Sequence, residues 1–330
     1  MLDIYNLLSK AVNLKDPHYC CILFEHDCLI AGDNDLAARV PYKNEKELLI
    51  ESQLLGKALK ATKGGDIVYN VESRDSGFVN TLELSKGKRH IVLNSGDPAL
   101  YMKTGVLNEN APDVDWQAID VEFTNAMIAV SEAMSDDASK MWSMAVSLHN
   151  NKLIATDGKA LFFGYTPIDG SVVFPARVIE FLKAVAQHEY PTHFGVIKNA
   201  LAFKFESELI ITCKRIEDER QEQVAGLIER AFKKPEFVVT PELKDAIESA
   251  ASIGEFIVEL RPNSVKASCD GATFEEEIET GVPADLTMCS YDTKKVLLLL
   301  KGIKKIAFGK EVACADKGDN VFAMITRRGR

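Results

Sequence analysis

Three stretches of this 330-residue chain carry the same elements in the same order. Each opens with an amphipathic helix, passes through two short strands that run into an aspartate, and continues to a second helix and further alternating strands. The aspartates are Asp33, Asp157 and Asp270, spaced 124 and 113 residues apart. A period above 100 residues implies duplicated domains, because solenoid repeats are far shorter. The expectation is an α+β fold of three tandem domains, each with two helices packed on antiparallel sheets.

The opening helices are read from apolar residues at three-and-four spacing. These are Ile4, Leu7, Leu8, Ala11 and Val12, then Ala126, Met127, Val130, Ala133 and Met134, then Leu243, Ala246, Ile247, Ala250 and Ala251. Asp3, Thr124 and Thr240 are placed to cap them, and Pro241 suits a first helical position. The strand pairs are CCILFEHDCLIAGD, MAVSLHNNKLIATD and FIVELRPNSVKASCD, each alternating in polarity. Gly158 and Gly271 follow two of the aspartates, where a turn asks for positive φ. The second helices are expected from Ser52, Pro175 and Ser290. Their buried stripes read Leu54, Leu55, Ala58, Leu59; Val178, Phe181, Leu182, Val185; and Val296, Leu299, Leu300, Ile303. Polar, proline-bearing stretches at Asn108–Trp116 and Lys233–Pro235 divide the chain into 1–115, 116–235 and 236–330.

Composition supplies a frame for this reading. With 46% hydrophobic and 27% charged residues, the chain is that of a globular protein with room for several cores. No apolar run approaches the roughly 20 residues that cross a bilayer, and the acid-bearing start MLDIYNLLSKAV is unlike a secretory leader. Seven cysteines, an odd number in apolar settings, read as free thiols of a reducing cytoplasm.

The middle segment, LIATDGKALFFGY followed by VVFPARVIEFLKAV, resembles the central domain of the bacterial DNA polymerase III beta sliding clamp family. Cys289-Ser290-Tyr291 is similar to that family's Val-Ser-Tyr, and Met324-Ile325-Thr326-Arg327 to its Met-Pro-Met-Arg-like end. The resemblance spans the chain in architecture and is strong in sequence only in the middle domain. The chain departs from the pattern in three places. The C-terminal proline is missing, the first turn is Gly-Asp-Asn, and RQEQVAGLIERAF replaces the Pro-Asp-Tyr-like segment that closes the second domain.

The resemblance implies a processivity factor without catalytic residues, cofactor or metal. It would be a ring closed as a homodimer by head-to-tail contact of its first and third domains. Duplex DNA would pass through a hole lined by helices, held without regard to sequence. Charge supports that arrangement independently. The three second-helix segments carry Lys57, Lys60, Lys63, Arg177, Lys183, Lys294, Lys295, Lys301, Lys304 and Lys305 against only Glu180 and Asp292, in a chain of net charge −10. Basic groups gathered on an inner wall hold phosphates, while an acidic exterior repels them. The family's partners, a polymerase and a clamp loader, dock a short linear peptide. Carried over by position, that pocket comprises Trp142 on the preceding strand, Thr156, Gly158, Lys159, Leu161, Tyr291 at a helix start, Phe322, Met324 and Arg327.

Other chemistry finds little footing. No phosphate-binding glycine loop, dinucleotide fingerprint or zinc-spaced cysteine set is present. His18, Cys20, Cys21, His26 and Cys28 come nearest to a metal site, but adjacent cysteines on a strand face opposite ways. His149, His188 and His193 lack a paired serine or cysteine nucleophile. The competing readings are a repeat-built interaction scaffold that does not encircle DNA, and an enzyme of unknown type.

Overall fold

The computed structural model describes residues 1–74, 77–101, 114–135, 137, 141–197, 200–216, 221–254, 256–286 and 288–327. The boundary expected within Asn108–Trp116 lies mostly outside them. In chain order, the first repeat holds α1 (Leu2–Leu8), β1 (Cys21–Phe24), β2 (Cys28–Gly32), β3 (Leu36–Pro41), β4 (Leu48–Glu51), α2 (Ser52–Thr62), β5 (Asp66–Arg74), β6 (Gly77–Lys86) and β7 (Arg89–Asn94). The second adds β8 (Gln117–Ala118), α3 (Val121–Val130), β9 (Ala145–His149), β10 (Lys152–Thr156), β11 (Ala160–Tyr165), β12 (Ser171–Pro175), α4 (Ala176–Val185), β13 (Pro191–Ile197), β14 (Ala200–Phe205), β15 (Ile210–Lys214) and α5 (Gln221–Ala231). The third holds β16 (Phe237–Val238), α6 (Pro241–Ile253), β17 (Ile257–Arg261), β18 (Ser264–Cys269), β19 (Ala272–Glu277), β20 (Cys289–Asp292), α7 (Thr293–Leu300), β21 (Lys305–Phe308), β22 (Val312–Gly318) and β23 (Val321–Thr326). The threefold repetition is therefore real at the level of elements.

Two compact units cut across the repeats. One comprises Met1–Thr124 with Arg177–Arg215; the other comprises Asn125–Ala176 with Ile216–Arg330. In the first unit an eight-stranded sheet runs β4-β1-β2-β3-β15-β14-β13-β8, beside a three-stranded sheet β5-β6-β7. In the second unit an eight-stranded sheet runs β12-β9-β10-β11-β23-β22-β21-β16, beside a four-stranded sheet β19-β18-β17-β20. Each large sheet thus joins strands from two successive repeats. The seams are β3 against β15, with Ala38 opposite Ile211, and β11 against β23, with Phe163 opposite Phe322.

Within the first unit, α1 lies across α2, and the Tyr5 ring sits where any side chain on Gly56 would stand. Glycine is what lets the two helices approach that closely. Within the second unit α6 packs on α7 and over β18 and β19. Leu243, Ala246, Ile247 and Ala250 of α6 are buried, as are Val296, Leu299 and Leu300 of α7.

Several local expectations change. α1 ends at Leu8, so Ala11 and Val12 are buried beyond it, and Asp3 forms no cap. Thr124 lies inside α3; Asp120 takes the cap position, its Oδ1 accepting from the Phe123 N–H at 2.7 Å. Thr240 does cap α6, accepting from Leu243 N–H at 3.2 Å ahead of Pro241. Ser290 belongs to β20, and α7 starts at Thr293 with Asp292 as its cap. Ile303 falls past the end of α7, and Leu54 is turned out of the stripe formed by Leu55, Ala58 and Leu59. Trp142 lies in a 3-10 turn at Met141–Met144 that precedes β9, not on a strand.

Candidate functional site

The seams between repeats carry one charged arrangement, built twice. At the β2–β3 turn, Asp33 Oδ1 accepts from the N–H groups of Asp35 and Leu36, each at 3.0 Å. Its other oxygen faces the Arg177 guanidinium of α4 at 3.5 Å, and Arg177 also donates to the Ala11 carbonyl at 2.8 Å. At the β10–β11 turn, Asp157 Oδ1 accepts from Lys159 and Ala160 N–H at 2.9 and 2.8 Å, and its other oxygen pairs with Lys295 of α7. In each case an aspartate that shapes a turn also holds the cation leading the second helix of the next repeat.

Burial by itself would raise the Asp157 carboxyl. The Lys295 ammonium and the Ala160 and Lys159 N–H groups outweigh it and hold the group below the ordinary carboxylate range. A lowered carboxyl stabilises the fold fully above the unfolded value and loses that contribution as pH falls through the folded one. Asp157→Asn is therefore expected to lower stability by about 1–2 kcal/mol near neutrality. Urea midpoints taken from pH 7 downward should show the gap to wild type closing below about pH 4.

Asp270 does not repeat this arrangement. Asp33 and Leu36 close the first turn and Asp157 and Ala160 the second, whereas Cys269 and Ala272 close the third. Asp270 stands one place later, at the position of Asn34 and Gly158. The two Asp-Gly pairs look equivalent in sequence but sit in different registers, although Gly158 and Gly271 both adopt positive φ, +89° and +87°.

Three of the ten cations expected to meet DNA are engaged by acids. Besides Arg177 and Lys295, Lys301 pairs with Glu132, which also holds Lys317 at 3.5 Å over the Phe162 ring. Lys57, Lys60, Lys63, Lys183, Lys294, Lys304 and Lys305 are exposed and form no ion pair among the described residues. Lys304 and Lys305 lie at β21, beyond the helix.

The residues of the expected peptide pocket fall into four separate places, with the side chain of Trp142 undescribed. Leu161, Phe322 and Met324 share an apolar cluster with Ile154, Phe163, Val312 and Cys314 on one face of the second unit's large sheet. Helix α5 lies on that face through Val224, Ala225, Ile228 and Ala231, with Phe232 just beyond it. The Phe232 and Phe322 rings are 5.3 Å apart, and Phe163 stacks on Phe322 at 5.4 Å. Thr156, Gly158 and Lys159 form the adjoining turn, Thr156 Oγ1 accepting from Gly158 N–H at 3.0 Å and Lys159 reaching Asp292 at 3.7 Å. Arg327 is tied to the carbonyls of Met288 and Lys310. Tyr291 is different: it lies on β20, not at a helix start, with 0% of its surface exposed and its ring 6.3 Å from Phe308. Burial pushes its phenol above the ordinary range. Its ring is core. The side chains of Trp142 and Gln221, and all of Arg220 at the start of the replaced segment, lie outside the described residues.

The cysteine-rich start also departs from expectation. Cys20 precedes β1, and its sulfur is 3.8 Å from that of Cys21. Burial, then Cys20, pushes the Cys21 thiol up to about 12. Glu25, Asp27 and Cys28 bring ligand atoms within 4.8 Å of one another, but burial and Asp27 push the Cys28 thiol up to about 11, disfavouring the thiolate a metal would need.

The sequence matches no protein-family model and no curated protein. Solved structures match from end to end. A DNA polymerase III beta subunit from Thermotoga maritima superimposes with a TM-score of 0.76 at 14% identity, and a beta chain from Streptococcus pneumoniae with 0.75 at 16%. A Helicobacter pylori beta clamp bound to a DNA ligase peptide gives 0.72 at 14%. In all three, 100% of this chain and 97% of the other are covered. The chain has the sliding-clamp fold.

Two features of this clamp fold escaped sequence reasoning. The pairing of Asp33 with Arg177 and of Asp157 with Lys295 links residues more than 130 positions apart. The signal was a cation immediately before the first buried aliphatic of each helix, Val178 or Val296. Helix α5 was legible only as a replaced segment, although Val224, Ala225, Ile228 and Ala231 follow helical spacing.

Proposed function

We propose that this chain is a DNA sliding clamp, closed head to tail by two or more copies around duplex DNA, and that it tethers replication proteins through a short peptide. The observation that carries the reading is the pair of orphan sheet edges. β3 is completed by β15 and β11 by β23, strands of the next repeat in each case. By the same pattern, among the described residues, the outer edge of β19 has no strand beside it, and neither has that of β7, the strand that corresponds to β15 and β23. Unpaired edges invite pairing, and a head-to-tail contact of this kind either closes into a ring or grows into a filament. The edges are complementary in charge. β19 exposes Glu275, Glu276 and Glu277, whereas β7 and its turn expose Arg89, His90, Lys86 and Lys88.

The seven exposed, unpaired lysines supply the contact with DNA. Scattered ammonium groups on phosphates act by counterion release and carry no sequence information, which suits a tether that must slide. The peptide docks beside α5, where half-buried Phe322 and Phe232 offer apolar surface above the buried Leu161 and Met324; aromatic groups adapt to varied side chains.

Retention that depends on DNA topology tests the reading. Monomers obtained by dilution are concentrated in the presence of a nicked circular plasmid, and protein eluting with the DNA is measured before and after one restriction cut. Most of the protein is expected to remain with the circle and to leave the linear form. Equal retention on both forms would favour a scaffold or a simple DNA binder.

A further inference from the structure

The two seams inside the chain act as templates for a third, between copies, and this inference rests on the ring reading above. At each internal seam, the first residue of a hairpin turn is an aspartate, and the residue before the first buried aliphatic of the next repeat's second helix is a cation. The elements left over for a seam between copies are the β18–β19 turn and helix α2. The matching turn position holds Cys269, since Cys269 and Ala272 close that turn as Asp157 and Ala160 close theirs. The matching helix position, immediately before buried Leu55, holds Leu54. Both members of the ion pair are replaced, and together.

A carboxylate left without its cation in a closing interface costs free energy, and so does the reverse. Replacing both by apolar groups avoids either cost. Leu54 is 46% exposed, as expected of a side chain with no partner in its own copy. Phe256, 68% exposed, lines the same shallow depression as Cys269 and offers a second apolar surface. Glu259, Lys266, Asp270 and Thr273 supply the polar part of its lining.

We infer that the seam between copies is closed at this point by Leu54 of one copy seated beside Cys269 and Phe256 of another, an apolar contact in place of the ion pair used at both internal seams. The partner is thus a second copy of this chain, and the edges β19 and β7 flank the contact.

Leu54→Cys locates it. Under copper phenanthroline and air, the new thiol and that of Cys269 in a second copy lose two protons and pass two electrons to the oxidant, forming one disulfide. A covalent dimer, or a closed covalent ring if both seams react, is expected on denaturing gels. It should be absent from wild type and from the Leu54→Cys, Cys269→Ser double variant. Chemical identity is tested by Leu54→Lys and Cys269→Asp. Each alone should weaken self-association about tenfold, and the two together should recover most of the loss by rebuilding the internal kind of pair. Sedimentation equilibrium of wild type separates the outcomes. A monomer at every concentration overturns the ring reading itself. A dimer that neither cross-links nor shows coupling between the two substitutions overturns this inference alone.

Discussion

A chain carrying Glu276→Lys and Glu277→Lys should sediment as a monomer under conditions in which wild type associates. Both residues lie on β19, whose far edge pairs with β18 and whose near edge has no strand beside it among the described residues. If β7 of a second copy fills that place, the substitutions set lysines against Arg89, Lys86 and Lys88. Like charges facing each other across an interface cost several kcal/mol, and each 1.4 kcal/mol is tenfold in affinity. A loss of about 100-fold or more in self-association is expected. Reversing the opposite edge with Arg89→Glu and Lys86→Glu should restore association to the lysine-bearing chain while weakening the wild-type one. Edge charges that left association unchanged in both backgrounds would place the contact elsewhere. Glu275 is left untouched because it already pairs with Lys266 at 2.5 Å inside its own sheet.

Phe163→Ala is expected to be the most damaging single substitution in the second unit. The ring is fully buried on β11 at the seam with β23, opposite Phe322, and also meets Phe232 at 5.1 Å and Tyr165 at 5.7 Å. Removing a buried phenylalanine costs about 3–5 kcal/mol, part lost transfer energy and part the cavity left behind. This ring also joins strands of two repeats and supports the face on which α5 lies. The loss should therefore appear in both the seam and the helix. Urea unfolding followed by hydrogen exchange should show amides of β23 and α5 losing protection together, while the first unit's β2 and β14 keep theirs. Protection lost only in α5 would mean that the seam holds without the ring.

The repeat, the helix faces and the hairpins were legible because their signals are local. A buried stripe such as Val178, Phe181, Leu182 and Val185 needs only its own helix to be read. Register was harder. Asp157-Gly158 and Asp270-Gly271 are the same dipeptide, yet one aspartate opens its turn and the other stands second, a difference fixed by cross-strand pairing. The site suffered most where burial depends on a distant segment. Tyr291 combines a polar tip with an apolar ring, and only the packing of β20 against β21 and its neighbours decides that it faces the core. Arg177 and Lys295 were grouped with the exposed lysines because their acids lie in another repeat.

The seams have a consequence for how such a chain came to fold. The middle repeat lends β13–β15 to one compact unit and β9–β12 to the other, so what was copied in the gene is not what cooperates in the protein. Excising that repeat would strip four strands from each large sheet, β15, β14, β13 and β8 from one and β12, β9, β10 and β11 from the other, and leave β3 and β23 bare. Because both seams lie within one polypeptide, they depend on chain connectivity alone, where a seam between separate copies depends on concentration.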